Sequence, residues 1–129
     1  MQKRIQGFTL VEIMMVVAVI ALLAAVAIPN LFRARISSNE ASAQATLKSI
    51  ANSLETYSIT NGIYPSETTS LIGVAPPYLN KDYFAAPFNG YTFMATLSDY
   101  TYSITAVPAS SSQGNLSFTI TTGAVLTTN

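Results

Sequence analysis

The sequence predicts an α+β chain in which one long N-terminal helix, about Phe8 to Thr60, packs on a small antiparallel sheet of three to four strands. Three observations carry this. An apolar run extends from Phe8 to Ile28, and only Thr9 and Glu12 within it are polar. Beyond it Phe32, Ile36, Ala43, Leu47, Ile50, Leu54 and Tyr57 recur at spacings of three, four and seven, a single stripe along a helix. After Asn89-Gly90 the pattern changes to strict alternation of apolar residues with threonine and serine, the period of a half-buried strand.

At 1.5 Å per residue, Phe8 to Ile28 makes roughly 31 Å of helix, enough to cross the hydrocarbon core of a bilayer. Ahead of it Met1 to Gly7 carries Lys3 and Arg4 and no acid, the profile of a short cytoplasmic leader. Arg33 and Arg35 follow the span and match that charge, so basic residues alone do not fix the orientation. Glu12 lies inside the span, one turn from Phe8. A carboxylate in hydrocarbon is costly and marks a functional position; the bland reading is an acid tolerated near the interface by snorkelling.

The second half of the helix is amphipathic. Arg33, Arg35, Asn39, Glu40, Gln44, Lys48 and Glu55 occupy the positions around the stripe. Pro29 is expected to kink the helix without ending it, because neighbouring groups can absorb the lost hydrogen bond. The stop falls at Ser58 to Gly62, where Thr60-Asn61-Gly62 reads as a C-terminal cap. Phe8 to Thr60 would measure roughly 80 Å. A chain of this size cannot bury a helix that is apolar all round along its first half, so that half needs lipid or other copies of itself. Ala18, Ala21, Ala24, Ala25 and Ala27 allow helices to approach closely.

Ile63 to Pro87 reads as an irregular connector holding Pro65, Pro76, Pro77 and Pro87, with one helical turn near Thr69 to Val74. Tyr91 to Leu97 makes the first strand, Ser98-Asp99 a reversal, Tyr100 to Ala106 the second strand, and Pro108 ends it. Ala109 to Asn115 is a loop, Leu116 to Thr121 a third strand, and Thr122-Gly123 a turn before an edge candidate at Ala124 to Leu126. Tyr91, Phe93, Tyr100, Tyr102 and Phe118 fall on the inward face, which the stripe from Phe32 to Tyr57 would cover. The outer face is rich in serine and threonine.

The short basic leader ending in Gly7, the junction Gly7-Phe8 followed by Thr9-Leu10-Val11-Glu12, and the apolar run to Pro29 resemble type IV pilins and the pseudopilins of type II secretion. The resemblance implies a pilin-like fold and a specific processing step: a membrane prepilin peptidase cuts between Gly7 and Phe8 and methylates the new amino group of Phe8. It implies that Glu12, with Thr9, Leu10 and Pro29, serves assembly, Glu12 neutralising the terminal amine of a neighbouring subunit. That role has a physical rationale as well, since cleavage at Gly7 creates an ammonium on Phe8 and a carboxylate in hydrocarbon needs such a partner. Ala21 departs from the family, many members having glycine there. A looser resemblance in the head, Tyr64-Pro65, Tyr78-Leu79 and Pro87 to Tyr91, does not separate major pseudopilins from short pilins.

The expected organisation is therefore a leader at 1–7, a transmembrane and filament-core helix at 8–29, an amphipathic half at 30–60 and a β-meander head at 61–129. The expected function is structural, a type IV pilus-like filament subunit that polymerises through its apolar helix; the alternative is the major pseudopilin of a type II secretion system. The resemblance implies as partners other copies of the chain, a prepilin peptidase, an inner-membrane assembly platform, minor pilins, and membrane lipid before assembly. It implies an inner-membrane precursor and then an extracellular pilus or a periplasmic pseudopilus. A reading of another class stays open: Ala25-Val26-Ala27 is an A-x-A pattern, and cleavage after Ala27 would release a soluble secreted binding domain. An anchor that keeps its leader would leave Glu12 without a partner.

Composition fits an exported structural subunit. The chain has 129 residues, half of them hydrophobic, a formal net charge of zero, and no cysteine or histidine. Without Lys3 and Arg4 the side-chain charge is about −2, with no basic face for nucleic acid. Catalysis is not expected, because histidine and cysteine are absent and the head's acids Glu67, Asp82 and Asp99 are scattered. No cofactor is expected; Asp82 and Asp99 are weak calcium candidates, since that ion wants clustered oxygen ligands. Core packing accounts for most of the aromatic residues, and Asn115-Leu116-Ser117 matches a glycosylation sequon.

Overall fold

A computed structural model describes residues 7–129. Lys3, Arg4 and the rest of the expected leader up to Gln6 lie outside the described residues. The order of elements is α1 (Leu10–Asn61), a 3₁₀ turn (Thr68–Leu71), β1 (Tyr91–Leu97), β2 (Tyr102–Pro108), β3 (Phe118–Thr121) and β4 (Val125–Thr128). The chain forms two compact units, one up to Ala34 and one from Arg35 on, and α1 contributes to both.

From Leu10 to Ala34 the chain is helix, and none of these residues is buried. Pro29 sits inside α1, which continues past it, and Asn30 Nδ2 donates to the Val26 carbonyl at 3.1 Å. The most apolar eighteen-residue stretch has a mean hydropathy of 2.9 and none of it is buried.

From Arg35 on, the strands form one antiparallel sheet in the order β1-β2-β3-β4. Register puts Phe93 opposite Ala106, Ile104 opposite Ile120, and Phe118 opposite Thr128. Inward residues alternate along the strands: Tyr91 and Phe93, then Tyr102, Ile104 and Ala106, then Phe118 and Ile120 are buried. They meet Ala43, Leu47, Ile50, Ala51 and Leu54 of α1, with Tyr64, Leu71 and Leu79 from the connector closing the core. Thr46 and Ser53 are also buried on this helix face; each hydroxyl bonds the carbonyl four residues back, and Ser53 Oγ reaches the Tyr78 carbonyl at 2.7 Å. Hydroxyls satisfied in this way can be buried without leaving unpaired groups.

The turns follow their residues. Gly62, at φ 82°, ends α1 with its N–H on the Ser58 carbonyl at 2.8 Å. Asn89 and Gly90 both have positive φ and close Phe88 onto Tyr91 through two backbone bonds, a two-residue reversal of the kind Asn-Gly favours. The Ala75-Pro76 peptide bond is cis.

Several expectations need correction. Tyr100 is 76% exposed, not inward, because Ser98 N–H bonds the Thr101 carbonyl and makes Asp99-Tyr100 the tip of the reversal, so β2 starts at Tyr102. Leu116 is exposed too; its carbonyl is taken by the Tyr91 hydroxyl at 2.8 Å, and β3 starts at Phe118. Phe32 lies in the coreless first unit and is exposed, so the buried stripe begins at Ala43. The 3₁₀ turn comes one residue early, at Thr68–Leu71, and β4 is shifted to Val125–Thr128 because Ala124 belongs to the turn.

Candidate functional site

At the N-terminus, Gly7, Phe8 and Thr9 precede α1 in non-helical backbone, and Phe8 is 85% exposed. A side-chain carbon added at Gly7 would meet nothing within 4 Å. Among the described residues nothing in the packing therefore asks for a glycine there.

Thr9 is the N-cap of α1 and Glu12 its third residue, and the two form a reciprocal capping box. Thr9 Oγ1 accepts from the Glu12 N–H at 3.2 Å, while Glu12 Oε2 accepts from the Thr9 N–H and the Thr9 hydroxyl, each at 2.8 Å. All three bonds are exposed. A free helix start leaves N–H groups without partners, and in hydrocarbon no water would satisfy them; the box satisfies two of them within the chain. Glu12 Oε1 makes no hydrogen bond among the described residues. Sequence reasoning singled out Thr9 and Glu12 separately and missed the box, although T-x-x-E ahead of an apolar run is its signature.

Downstream, Leu10, Val11, Met14, Met15, Leu22, Leu23 and Leu31 are all more than 60% exposed. Apart from Thr9 and Glu12 this stretch up to Ile28 is apolar all round, and none of its described residues is buried. Pro29 falls at its far end, uninterrupted by any break in α1.

In the head, one carboxylate gathers distant elements. Glu55 Oε2 accepts from the Tyr64 hydroxyl at 3.0 Å, and Oε1 accepts from the Tyr102 hydroxyl at 3.1 Å and the Gly123 N–H at 3.0 Å. The Ala124 N–H donates in turn to the Tyr102 oxygen at 3.2 Å. Burial first, and the Glu55 charge with it, pushes the phenols of Tyr64 and Tyr102 above their ordinary range. Asn39 Nδ2 donates to the Gln113 carbonyl at 2.8 Å, and Glu40 Oε1 accepts from the Asn115 N–H at 3.1 Å, holding the β2–β3 loop to α1. No local spacing announces these contacts.

The calcium candidates serve turns. Asp82 Oδ1 accepts from the N–H groups of Phe84 at 2.8 Å and Ala85 at 3.2 Å. Asp99 sits in the β1–β2 reversal, where its backbone carbonyl accepts from the Tyr64 N–H. Among the described residues no three side chains of His, Cys, Asp or Glu are grouped so as to hold a metal, and a hard cation needs six or more oxygens.

Residues 2–28 match the prokaryotic N-terminal methylation motif. The chain is 36% identical over 110 residues to the type IV wide pilus major component PilA4 of Thermus thermophilus, covering 82% of this chain and 84% of that protein. It is 37% identical over 78 residues to the type IV major pilin protein PilA of Myxococcus xanthus, covering 60% of this chain and 35% of that protein. It is 35% identical over 72 residues to the type II secretion system core protein G of Aeromonas hydrophila, 55% of this chain and 50% of that protein. The chain thus spans most of PilA4 and half or less of the other two.

A coreless apolar helix joined to a small α+β head, with a methylation motif at its start, defines a structural filament subunit. The chain belongs to the family of type IV pilins and type II secretion pseudopilins. The motif covers the residues that an ordinary signal peptide cut after Ala27 would remove, and the secreted-domain reading falls away with that match.

Proposed function

We propose that this chain is the major subunit of a type IV pilus-like filament, made as a single-pass inner-membrane precursor. A prepilin peptidase removes residues 1–7 by cutting between Gly7 and Phe8 and methylates the Phe8 amine. Segment 8–29 then leaves the bilayer to pack the filament core, with the helix half at 30–60 and the head at 61–129 forming its outer layer. An inner-membrane platform and minor pilins carry out and prime the assembly.

The observation that carries this reading is the unburied apolar stretch of α1, whose hydropathy of 2.9 suits lipid before assembly and other copies afterwards. Cleavage would place an ammonium on Phe8. Glu12 holds its own helix start through Oε2 and keeps Oε1 available for that charge on a neighbour. The exposed Gly7-Phe8 junction suits a protease, and a glycine requirement set by the enzyme that reads it is compatible with the open space around Gly7 among the described residues.

The pilus is favoured over the pseudopilus by the 84% coverage of PilA4 against half of core protein G. The major pseudopilin of a secretion system is the second reading, supported by identities of 35% and 39% to core protein G of Aeromonas hydrophila and Pseudomonas aeruginosa.

Intact mass and N-terminal sequencing of sheared surface filaments test the proposal. The expected product starts at N-methylated Phe8. A start at Met1 or Ile28 would sink the processing step, and a deletion that blocks protein secretion while surface filaments persist would move the chain to the pseudopilins.

A further inference from the structure

The sheet ends in β4 on one side and in β1 on the other, where Phe88 already pairs outside Tyr91, and the phase of its hydrogen bonds determines which groups the rest of the two edges offer. Ser117 and Asn129 exchange both backbone bonds, at 3.1 and 2.9 Å. In an antiparallel ladder such pairs alternate, so Thr127 and Val125 also bond toward β3, while Leu126 and Thr128 direct their N–H and C=O groups away from the sheet. At the other edge the Ala109 N–H bonds the Gly90 carbonyl at 2.8 Å. By the same alternation Thr92, Met94 and Thr96 bond toward β2, and Phe93, Ala95 and Leu97 direct their groups outward. Among the described residues none of these five makes another backbone bond.

β1 and β4 themselves contain no charged residue and no proline, two of the devices that keep sheet edges from pairing. The β1 edge opens onto a cleft of about 330 Å³ lined by Ser66, Glu67, Thr68, Thr69, Ala95 and Leu97. The two edges also match in face: Leu126 and Thr128 lie opposite Ile120 and Phe118, on the inward side, as do Phe93, Ala95 and Leu97. Residues directly opposite in an antiparallel pair share a face. A strand pairing β4 with β1 would therefore keep inward side with inward side, Leu126 meeting Ala95 or Leu97.

We propose that the β4 edge of one head pairs antiparallel with the β1 edge of a second copy, continuing the sheet from subunit to subunit along the filament. This rests on the filament reading. The contact is head to tail, so it propagates as a helical polymer requires, whereas β4 against β4 would close into a dimer. Only two residues of β4 bond outward, too few to join free subunits. Once the apolar helices hold neighbours together, the local concentration is on the order of millimolar or more and the short contact forms.

The chain has no cysteine, which makes disulfide trapping clean. Met94 and Thr127 end one outward row, Met94–Thr105–Thr119–Thr127. They stand three strand spacings apart, roughly 14 Å, beyond disulfide reach within one head. Two registers engage both outward residues of β4, setting Thr127 against either Met94 or Thr96 of the neighbour. The variants Met94→Cys/Thr127→Cys and Thr96→Cys/Thr127→Cys, each co-expressed with the unmodified chain, are assembled into filaments, mildly oxidised and run on non-reducing gels. One of them is expected to give a ladder of dimers and higher species. Adding Thr128→Pro removes an N–H that points to the neighbour and leaves the β3 bonds alone; it is expected to slow the ladder about tenfold. Filaments that stay monomeric in both registers overturn the pairing and leave the filament reading standing. A ladder indifferent to Thr128→Pro overturns it too, since proximity without strand pairing would suffice. If the unmodified chain forms no filaments, both readings fail.

Discussion

The Tyr102 hydroxyl donates to Glu55 Oε1 at 3.1 Å across 47 residues of sequence. That oxygen also receives the Gly123 N–H, and the other takes the Tyr64 hydroxyl. One side chain of α1 thereby ties β2, the β3–β4 turn and the start of the connector. Glu55→Ala removes the acceptor for all three donors, two of them on buried tyrosines. We expect a loss of about 1–3 kcal/mol, the cost of leaving such donors unsatisfied. Thermal unfolding of the full-length chain in detergent is the measurement, and a melting temperature equal to the parent's would show that water replaces the carboxylate.

Alkaline pH should release the same clamp. Burial is the main cause that raises the Tyr102 phenol well above the ordinary tyrosine value of 10.0; Glu55 acts in the same direction and the bond from the Ala124 N–H in the opposite one. Tyr64 and Tyr91 are raised as well. The folded chain holds these protons more tightly than the unfolded chain does. Their contribution to stability is therefore complete below about pH 10 and is lost as pH rises beyond it. Melting temperature followed from neutral pH to about 12 should stay level and then fall, and Tyr102→Phe should make the fall shallower. A melting temperature that rises above pH 10 would contradict the assignment.

Ala124 holds φ 58° in the turn that the clamp fixes, a conformation that favours glycine. Ala124→Gly should stabilise the chain by roughly 0.5–1 kcal/mol, and a lower denaturation midpoint would count against it.

At Gly114 the reverse holds. A side-chain carbon there would run into the ring and hydroxyl of Tyr91, which is fully buried and bonded to the Leu116 carbonyl. Gly114→Ala is expected to cost about 1–3 kcal/mol, as overpacking does. Pairing it with Tyr91→Leu should recover part of the loss. A double variant no better than the sum of the two singles would place the strain elsewhere.

The capping box separates two roles of Glu12. Thr9→Val removes the hydroxyl but keeps the carboxylate; filament yield should drop modestly, as the loss of a cap predicts. Glu12→Ala removes the partner proposed for a neighbour's amine, so insertion should be intact or improved while yield collapses. Equal yields for the two variants would reduce Glu12 to a cap.

How far the sequence revealed all this depended on the range of the interaction. The apolar run, the stripe from Ala43 to Leu54 and the alternation in β1 and β2 were legible because helix and strand periods are local. Asn89-Gly90 declared its own turn. Tyr100 and Leu116 misled because alternation continues past the last paired residue, and only the bonds from Ser98 and Tyr91 decide where a strand begins. Glu55 looked like any charge on the polar side of an amphipathic helix, since its partners come from three separate parts of the chain. Thr9 and Glu12 were conspicuous as polar residues in an apolar run, and that contrast drew attention from their spacing.

The outward rows of the sheet, Met94–Thr105–Thr119–Thr127 and Thr96–Ser103–Thr121–Val125, carry hydroxyls and methyls but no charge. The Thr105 and Thr119 hydroxyls lie within a long hydrogen bond of each other, at 3.4 Å, one donating to the other. Counter-ions have nothing to gather on at such a face, so what adheres there is governed by hydration. Contacts made through it would persist from fresh water to brine, where a surface of lysines and glutamates would have its attractions screened away.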